Sequence, residues 1–266
     1  MKVYILTDLE GVGGVVNRSH VFADSNGYAA AREWLTQEVN AAVEGALEGG
    51  ATEVLVLDGH GANGAVNLIY DKLREGARYI QGSPWGRYLP GLDESVDAFF
   101  QVGAHAMAGT QGAVLEHTMS SLHWVEMLIN GKPTGEMGLT AAVAGHYGVP
   151  FAMVSGDDKA CAEAARICPQ VECAVVKYGI SRHCAKLLPV QEVRDLIREK
   201  SLLAATRANS IPPFKIEGPV EIQIEYFRND LTDGIREREG VRKVGPRKVL
   251  FTGSDIVEAY GRVMGG

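Results

Sequence analysis

Three apolar runs in this chain each break off into residue types that bind metal ions. Val3–Thr7 is followed by Asp8-Leu9-Glu10-Gly11, Glu53–Leu57 by Asp58-Gly59-His60-Gly61, and Ala98–Gly103 by Ala104-His105-Ala106. Runs this apolar suit strands buried on both faces, as in a parallel sheet covered by helices. The carboxyl ends of such strands share one edge, and ligands bind there. Asp8, Glu10, His60 and His105 are therefore expected to converge although they are far apart in sequence. Carboxylate oxygens beside imidazole nitrogens suit zinc, manganese or iron better than calcium.

The segments between the runs fit this frame. Trp34, Leu35, Val39, Ala42, Val43, Ala46 and Leu47 recur at a helical period, which predicts a helix over 28–47 with Asp24 or Ser25 as its cap and Gly49-Gly50 as its stop. Strand, helix, strand is a βαβ unit with a right-handed crossover. Further helices are predicted over 66–75, 135–147 beginning with Glu136, from Asp157-Asp158 onward, over 190–208 and from Ser254. Further strands are predicted over 78–80, 114–119, 123–129, 150–155, 171–177, 221–227 and 248–252. Asn130-Gly131 marks a hairpin turn. The predicted fold class is α/β: an open, mostly parallel sheet with flanking helices, plus a smaller C-terminal α+β domain. The expected division is 1–188 for the metal-binding catalytic domain and 189–266 for the smaller one.

Composition narrows the function classes. The chain has 33 acidic and 26 basic residues, a formal charge of −7, and no Lys/Arg-rich tract, which disfavours a nucleic-acid partner. The stretch Arg236–Lys248 is interrupted by Glu237 and Glu239 and reads as a solvated hairpin. Charge at Asp8 comes too early for a signal peptide. No apolar run approaches the roughly 18 residues needed to cross a bilayer. Cys161, Cys168, Cys173 and Cys184 show no metal or redox spacing and read as small core residues of a reduced, cytoplasmic protein.

Each candidate has an ordinary reading beside the functional one. Asp8 and Glu10, two apart in extended backbone, point to the same side. A solvated strand end would tolerate that pair, but a strand buried on both faces needs a cation between them. An Asp-x-Asp phosphotransfer site is disfavoured by Glu10 and the two histidines. Gly11–Gly14 lacks the third glycine of the dinucleotide fingerprint, which would fall at Val16, and two acids would face the pyrophosphate. His60 and His105 could be turn residues; matching places on neighbouring strands make ligation the better reading. Asp58 is either a turn residue or an orienting partner of His60. His117, taken alone, is a half-buried strand histidine. His123 and His146 read the same way, His20 and His183 as solvent-facing. Glu136 is either a helix-dipole acid or, over the flexible Thr134-Gly135 approach, a group above the sheet edge.

Asp8-Leu9-Glu10-Gly11, the His60 segment, Gly103-Ala104-His105-Ala106, His117-Thr118-Met119 and Gly135-Glu136-Met137-Gly138-Leu139 together resemble the M55 family of zinc D-aminopeptidases. Gly156-Asp157-Asp158, Ile180-Ser181-Arg182 and Glu258-Ala259-Tyr260 are weaker matches, and the likeness spans almost the whole chain. It implies two zinc ions held by Asp8 as the bridging carboxylate with Glu10, His60, His105 and Glu136, and a catalytic histidine at His117. It also implies short-peptide substrates with a D-configured amino terminus, and a homo-oligomer that encloses its sites, such as a ring-like decamer. Gly59 stands where close relatives are expected to have Ser, and Ala104 where an aromatic is expected. Two zinc ions carry four positive charges against three carboxylates, so one further anion such as hydroxide neutralises the site, as partial burial requires.

The family description treats His117 as a nucleophile. An acid or electrostatic role is physically easier, since metal-activated water already supplies the attacking group. Two other readings use the same ligands: a dinuclear phosphoesterase or amidohydrolase, for which no Lys/Arg phosphate clamp is evident, and a non-catalytic metal- or peptide-binding module, which gives His117 no task.

Overall fold

The apolar runs do pair as parallel strands, and the register between them brings the expected ligands level. In the computed structural model, which describes residues 1–62 and 64–265, the chain begins β1 (Lys2–Thr7), α1 (Tyr28–Glu48), β2 (Glu53–Asp58), β3 (Arg78–Ile80) and β4 (Ala98–Ala104). It continues through β5 (Trp124–Ile129), β6 (Lys132–Pro133), α2 (Glu136–His146), β7 (Phe151–Asp157), α3 (Asp158–Ile167), β8 (Glu172–Ser181) and β9 (Cys184–Leu187). Then follow α4 (Val190–Arg207), β10 (Val220–Tyr226), β11 (Val241–Gly245), β12 (Lys248–Gly253) and α5 (Ile256–Met264). A seven-stranded sheet has the order β3-β2-β1-β4-β7-β8-β9, parallel except for β9, and a five-stranded antiparallel sheet has the order β11-β12-β10-β5-β6.

From β1 the chain adds strands in one direction, to β2 and β3; from β4 it adds them in the other, to β7 and β8. The boundary between β1 and β4 is thus the topological switch point, where crossover loops diverge and leave a crevice. Thr7 pairs with Asp58 on one side and Val102 on the other. Asp8, Gly59 and Gly103 are therefore level at the floor of that crevice.

The close approach of β1 and β4 beyond their paired residues depends on glycine. The N–H of Asp8 donates to the carbonyl of Val102 and that of Gly11 to Gly103, both at 2.8 Å. A Cβ on Gly103, where φ is +78°, would lie 2.1 Å from the Asp8 carbonyl oxygen. A Cβ on Gly11 would lie 2.0 Å from that of Ala104. Nothing larger than hydrogen fits at either place. On the sheet's flank, α1 and α4 touch backbone to backbone, since a Cβ on Gly45 would be 2.1 Å from the Arg198 carbonyl oxygen.

The expected division at 188/189 falls between β9 and α4. α4 lies on α1 and β8, while β5 and β6, from before that point, complete the antiparallel sheet that carries α5. Each sheet unit thus draws on chain from both sides of the division.

Four local expectations are corrected. The helix expected over 66–75 is a single turn, Tyr70–Lys72, because other groups occupy its backbone. Arg32 donates to the carbonyls of Asn67 and Leu68, and the Asp58 carboxylate takes the N–H groups of both. The strand expected over 114–119 is a loop with left-handed residues at Leu115 (φ 53°) and Met119 (φ 58°), which break any strand alternation. α1 begins after Gly27 with no side-chain cap, so neither Asp24 nor Ser25 serves. All four cysteines are free thiols; Cys161 and Cys168 are buried, but Cys184 is exposed on the edge strand β9 rather than packed in the core.

Gly103 and Gly148 share φ +78°, but a Cβ on Gly148 meets nothing within 4 Å. Gly148→Ala should therefore cost only the left-handed strain, about 1–2 kcal/mol. Gly103→Ala adds a backbone collision, and its urea-unfolding free energy should fall by at least ~3 kcal/mol. Equal losses in the two variants would show that the β1–β4 approach is not sterically closed.

Candidate metal centre

Asp8 sits one residue past β1 with its two carboxylate oxygens facing different partners. Oδ1 is 3.0 Å from His60 Nδ1, and Oδ2 is 3.3 Å from His105 Nε2. Glu10 Oε2 lies 3.1 Å from the same His60 nitrogen, and Glu136 Oε1 lies 3.1 Å from the same His105 nitrogen. Two donor clusters result: Asp8, Glu10 and His60 in one, His105, His117 and Glu136 in the other. Asp8 reaches both. The structure brings together every residue expected to bind metal, and it adds His117 to the second cluster.

The histidine tautomers follow from the backbone. His60 Nε2 is 2.8 Å from the Val21 carbonyl oxygen, His105 Nδ1 is 2.9 Å from that of Ala106, and His117 Nδ1 is 3.0 Å from that of Leu115. A carbonyl oxygen only accepts, so each of these nitrogens carries the proton. In the neutral ring the other nitrogen then presents a lone pair, and in all three rings that nitrogen faces carboxylates. Lone pair against carboxylate is repulsive; a cation between them makes it favourable. Zinc–ligand bonds of about 2.0–2.1 Å in tetrahedral array leave neighbouring donor atoms about 3.3 Å apart, which matches the spacings here. Glu10 Oε2 is a buried oxygen with no hydrogen-bond donor, as expected of an atom meant for a metal. The donor set fits two zinc ions.

Without a cation the same groups hold protons instead. Burial, then the charge of Glu10, pushes Asp8 up to about 7. Burial opposes ionisation of Glu10, yet His60 and the two further imidazoles hold it well below the usual carboxylate range. Burial likewise opposes charging of His60 and His105, but the facing carboxylates, Glu10 first for His60 and Glu136 first for His105, raise both well above the usual histidine range. His117 goes the other way: burial and the adjacent His105, stacked on it at 4.0 Å, lower its pKa.

His117 lies on the loop between β4 and β5, between the left-handed Leu115 and Met119. Its Nε2 is 3.7 Å from Glu136 Oε1. Glu136, the first residue of α2, also accepts the Met119 N–H at 2.6 Å and so ties the loop to the helix. Asp58 does not touch the His60 ring. Its carboxylate accepts the N–H and side-chain amide of Asn67, each at 2.7 Å, and Asn67 in turn donates to the His60 carbonyl. It shapes the loop around His60 rather than the imidazole. His123 bonds Ser120, and His146 packs on Tyr147 away from the centre. His20 is half-buried against Trp34 and accepts the Val16 N–H, while His183 is exposed.

Sequence reasoning missed Lys177. It is fully buried on β8, and its Nζ donates to the carbonyls of Glu10 (2.6 Å), Val12 (2.8 Å) and Val15 (2.6 Å). Glu38 on α1 completes the clamp by accepting the Gly13 N–H at 2.8 Å. A lysine in a strand gives no local signal of a target far away in sequence. Gln101 was also missed; it is buried on β4, lines the centre's cavity, and its Oε1 has no donor. That cavity has a volume of about 340 Å³, the small end of the range for ligand sites. A larger apolar cavity of about 730 Å³ adjoins it past His60, Trp85 and Tyr88 but contains neither donor cluster.

The family model for peptidase family M55, described as D-aminopeptidase, matches residues 1–264. A D-aminopeptidase of Bacillus subtilis (strain 168) is 34% identical over 265 residues, covering 98% of this chain and 94% of the relative. The solved structure of the Zn-dependent D-aminopeptidase DppA from Bacillus subtilis, described as a self-compartmentalizing protease, superposes with a TM-score of 0.92 at 33% identity. It covers 99% of this chain and 96% of that one.

Lys177→Met removes the donor for three buried carbonyls while keeping the stem's volume. Unfolding free energy should fall by at least ~3 kcal/mol, and zinc should pass faster to a chromophoric chelator because Glu10 is no longer pinned. Wild-type zinc retention in a destabilised variant would make Lys177 a packing residue only.

Proposed function

The chain belongs to the M55 peptidase family of D-aminopeptidases, and we propose on that premise that it hydrolyses the first peptide bond of short peptides with a D-configured amino terminus, using two zinc ions. The observation that carries the two-ion reading is the division of Asp8 between two donor clusters. Asp8, Glu10 and His60 would hold one ion, and Asp8, His105 and Glu136 would hold the other. Bound zinc supplies Lewis acidity, polarising a carbonyl oxygen and making water acidic enough to react near neutral pH.

The chain's own groups do the rest. Three backbone carbonyls fix the imidazole tautomers, so no histidine has to reorient as the reaction proceeds. His117 carries its proton on Nδ1, bound to the Leu115 carbonyl, so in the neutral ring Nε2 presents a lone pair, and burial disfavours a second proton there. This bears on the oxyanion role expected for it, because a bare Nε2 has no hydrogen to offer. A proton carrier suits it better: Nε2 takes the proton from water as oxygen adds to the carbonyl carbon. It then delivers that proton to the nitrogen as the C–N bond breaks. The nucleophile role has no support in this geometry, where the ring stacks on His105.

A cavity of about 340 Å³ accommodates a short peptide end and excludes a folded protein. Self-association, as a ring-like decamer or another closed homo-oligomer, would enclose the sites further. It is supported by Tyr178, Ile180, Leu187 and Val190, large apolar residues left exposed around the β8–β9 edge. Among the described residues no helix is long and apolar enough to cross a membrane. The free thiols suit a reducing, cytoplasmic setting.

The direct test compares kcat/KM for D-Ala-D-Ala and L-Ala-L-Ala with and without chelator. Cleavage of the D peptide, lost on chelation and restored by zinc, is expected, with an intact folded protein left undigested. A preference for the L peptide would reject the assignment.

Asp8→Ala and His117→Ala separate the two kinds of residue. The first should lose both zinc ions by elemental analysis. The second should keep them and most substrate affinity while kcat falls roughly 10²–10⁴-fold. Zinc loss in His117→Ala would make that residue a ligand of the second cluster.

A further inference from the structure

A side pocket of about 140 Å³ opens from the metal cavity, and the two share Glu10, Val21, Phe22, His117 and Ser121. What it adds is Leu115, His183 and two guanidinium groups, Arg18 and Arg182. Arg182 is already engaged, bonding the Glu116 carbonyl and pairing with the Glu116 carboxylate. Arg18 is not. Its side chain makes no hydrogen bond or ion pair with any described residue, and its guanidinium lies 4.6 Å from the centroid of the Phe22 ring, which lines both cavities. A cation resting on an aromatic face keeps its hydrogen-bonding edge free.

The surroundings make an unpaired guanidinium here informative. The chain is acidic, with a formal charge of −7 that already includes Asp8, Glu10 and Glu136, and two zinc ions with one hydroxide would leave the centre itself neutral. A neutral centre in an acidic chain offers an anionic group near His117 no net attraction, so a local cation has to receive it. A short peptide positioned for cleavage of its first bond carries such a group one or two residues further on, its own carboxylate. Arg18 offers the planar fork that binds a carboxylate through two hydrogen bonds. We propose that the Arg18 pocket binds the C-terminal carboxylate of di- and tripeptide substrates and so sets the preference for short, free-acid peptides. This rests on the aminopeptidase reading. Longer peptides, whose carboxylate overshoots the pocket, lose the contact.

The test is an acid-to-amide ratio on the zinc-loaded enzyme: kcat/KM for D-Ala-D-Ala divided by that for D-Ala-D-Ala amide. The wild type should favour the acid by about tenfold, mainly through KM, because the contact is the same before and during reaction. In Arg18→Met the ratio should fall toward one, and Arg18→Lys should recover part of it. A purely structural role would slow both substrates together and leave the ratio where it was. Arg18→Gln repeats the measurement should the Met variant fold poorly. Equal cleavage of acid and amide by the wild type would overturn the pocket while leaving the aminopeptidase reading intact, as would an unchanged preference in Arg18→Met. If the wild type cleaved neither peptide, the aminopeptidase reading itself would fall, and the pocket with it.

Discussion

Three carboxylates at one sheet edge are the constraint to which the rest of the structure answers. Asp8 and Glu10 offer oxygens within 4.8 Å of one another, and at an effective dielectric of about 20 two such charges repel by about 3 kcal/mol or more. Among the described residues no lysine or arginine forms an ion pair with either carboxylate. The facing groups are imidazoles, and their protons are committed to backbone carbonyls on the outer side. With neutral imidazoles the inner surface is lone pairs and negative charge, which either a metal ion or extra protons on His60 and His105 must offset. Zinc binding and the electrostatic stability of this edge are therefore coupled.

Such a site also has to be rigid, because the donors come from elements far apart in the chain. The sheet sets heights: Thr7 paired with both Asp58 and Val102 brings the ends of three strands level. Glycine sets distance, since the β1 and β4 ends close only where no Cβ intervenes at Gly11 and Gly103. Lys177 sets the path of the loop after Asp8 by gathering the carbonyls of Glu10, Val12 and Val15 onto one ammonium. Burial lowers the pKa of that ammonium to about 8. A buried charge is tolerated there because each of its three N–H donors has an acceptor.

This division of labour explains what was legible in the sequence. Asp8, Glu10, His60 and His105 could be read because buried parallel strands have a plain signature, and their carboxyl ends meet by topology alone. Glu136 could not, since a first-turn helix acid has an ordinary explanation, and only the family resemblance singled it out. The segments 66–75 and 114–119 were misread because side chains from elsewhere own their hydrogen bonds: Arg32 and Asp58 in the first, Arg182 and Glu136 in the second. Local periodicity carries no trace of such partners. Lys177, Gln101 and Arg18 were invisible for the same reason, each being defined by what it faces rather than by its neighbours in the chain.

The loop from Ala106 to Trp124 is where these threads meet. It bears His117 between two left-handed non-glycine residues, each costing about 1–2 kcal/mol, and such strain persists only when the surroundings over-determine it. Four anchors do so: Asp157 holds the Val114 N–H, the Arg182 carbonyl holds that of Leu115, the Arg182 side chain holds the Glu116 carbonyl, and Glu136 holds the Met119 N–H. One anchor is itself a donor to the metal centre, and another lines the side pocket beside Arg18. The His117 ring is thus oriented by Glu136 on one side and Arg182 on the other. A regular strand over 114–119 would have aimed alternate side chains to opposite faces. It could not have turned His117 toward Glu136 while its backbone spanned the distance from β8 to α2.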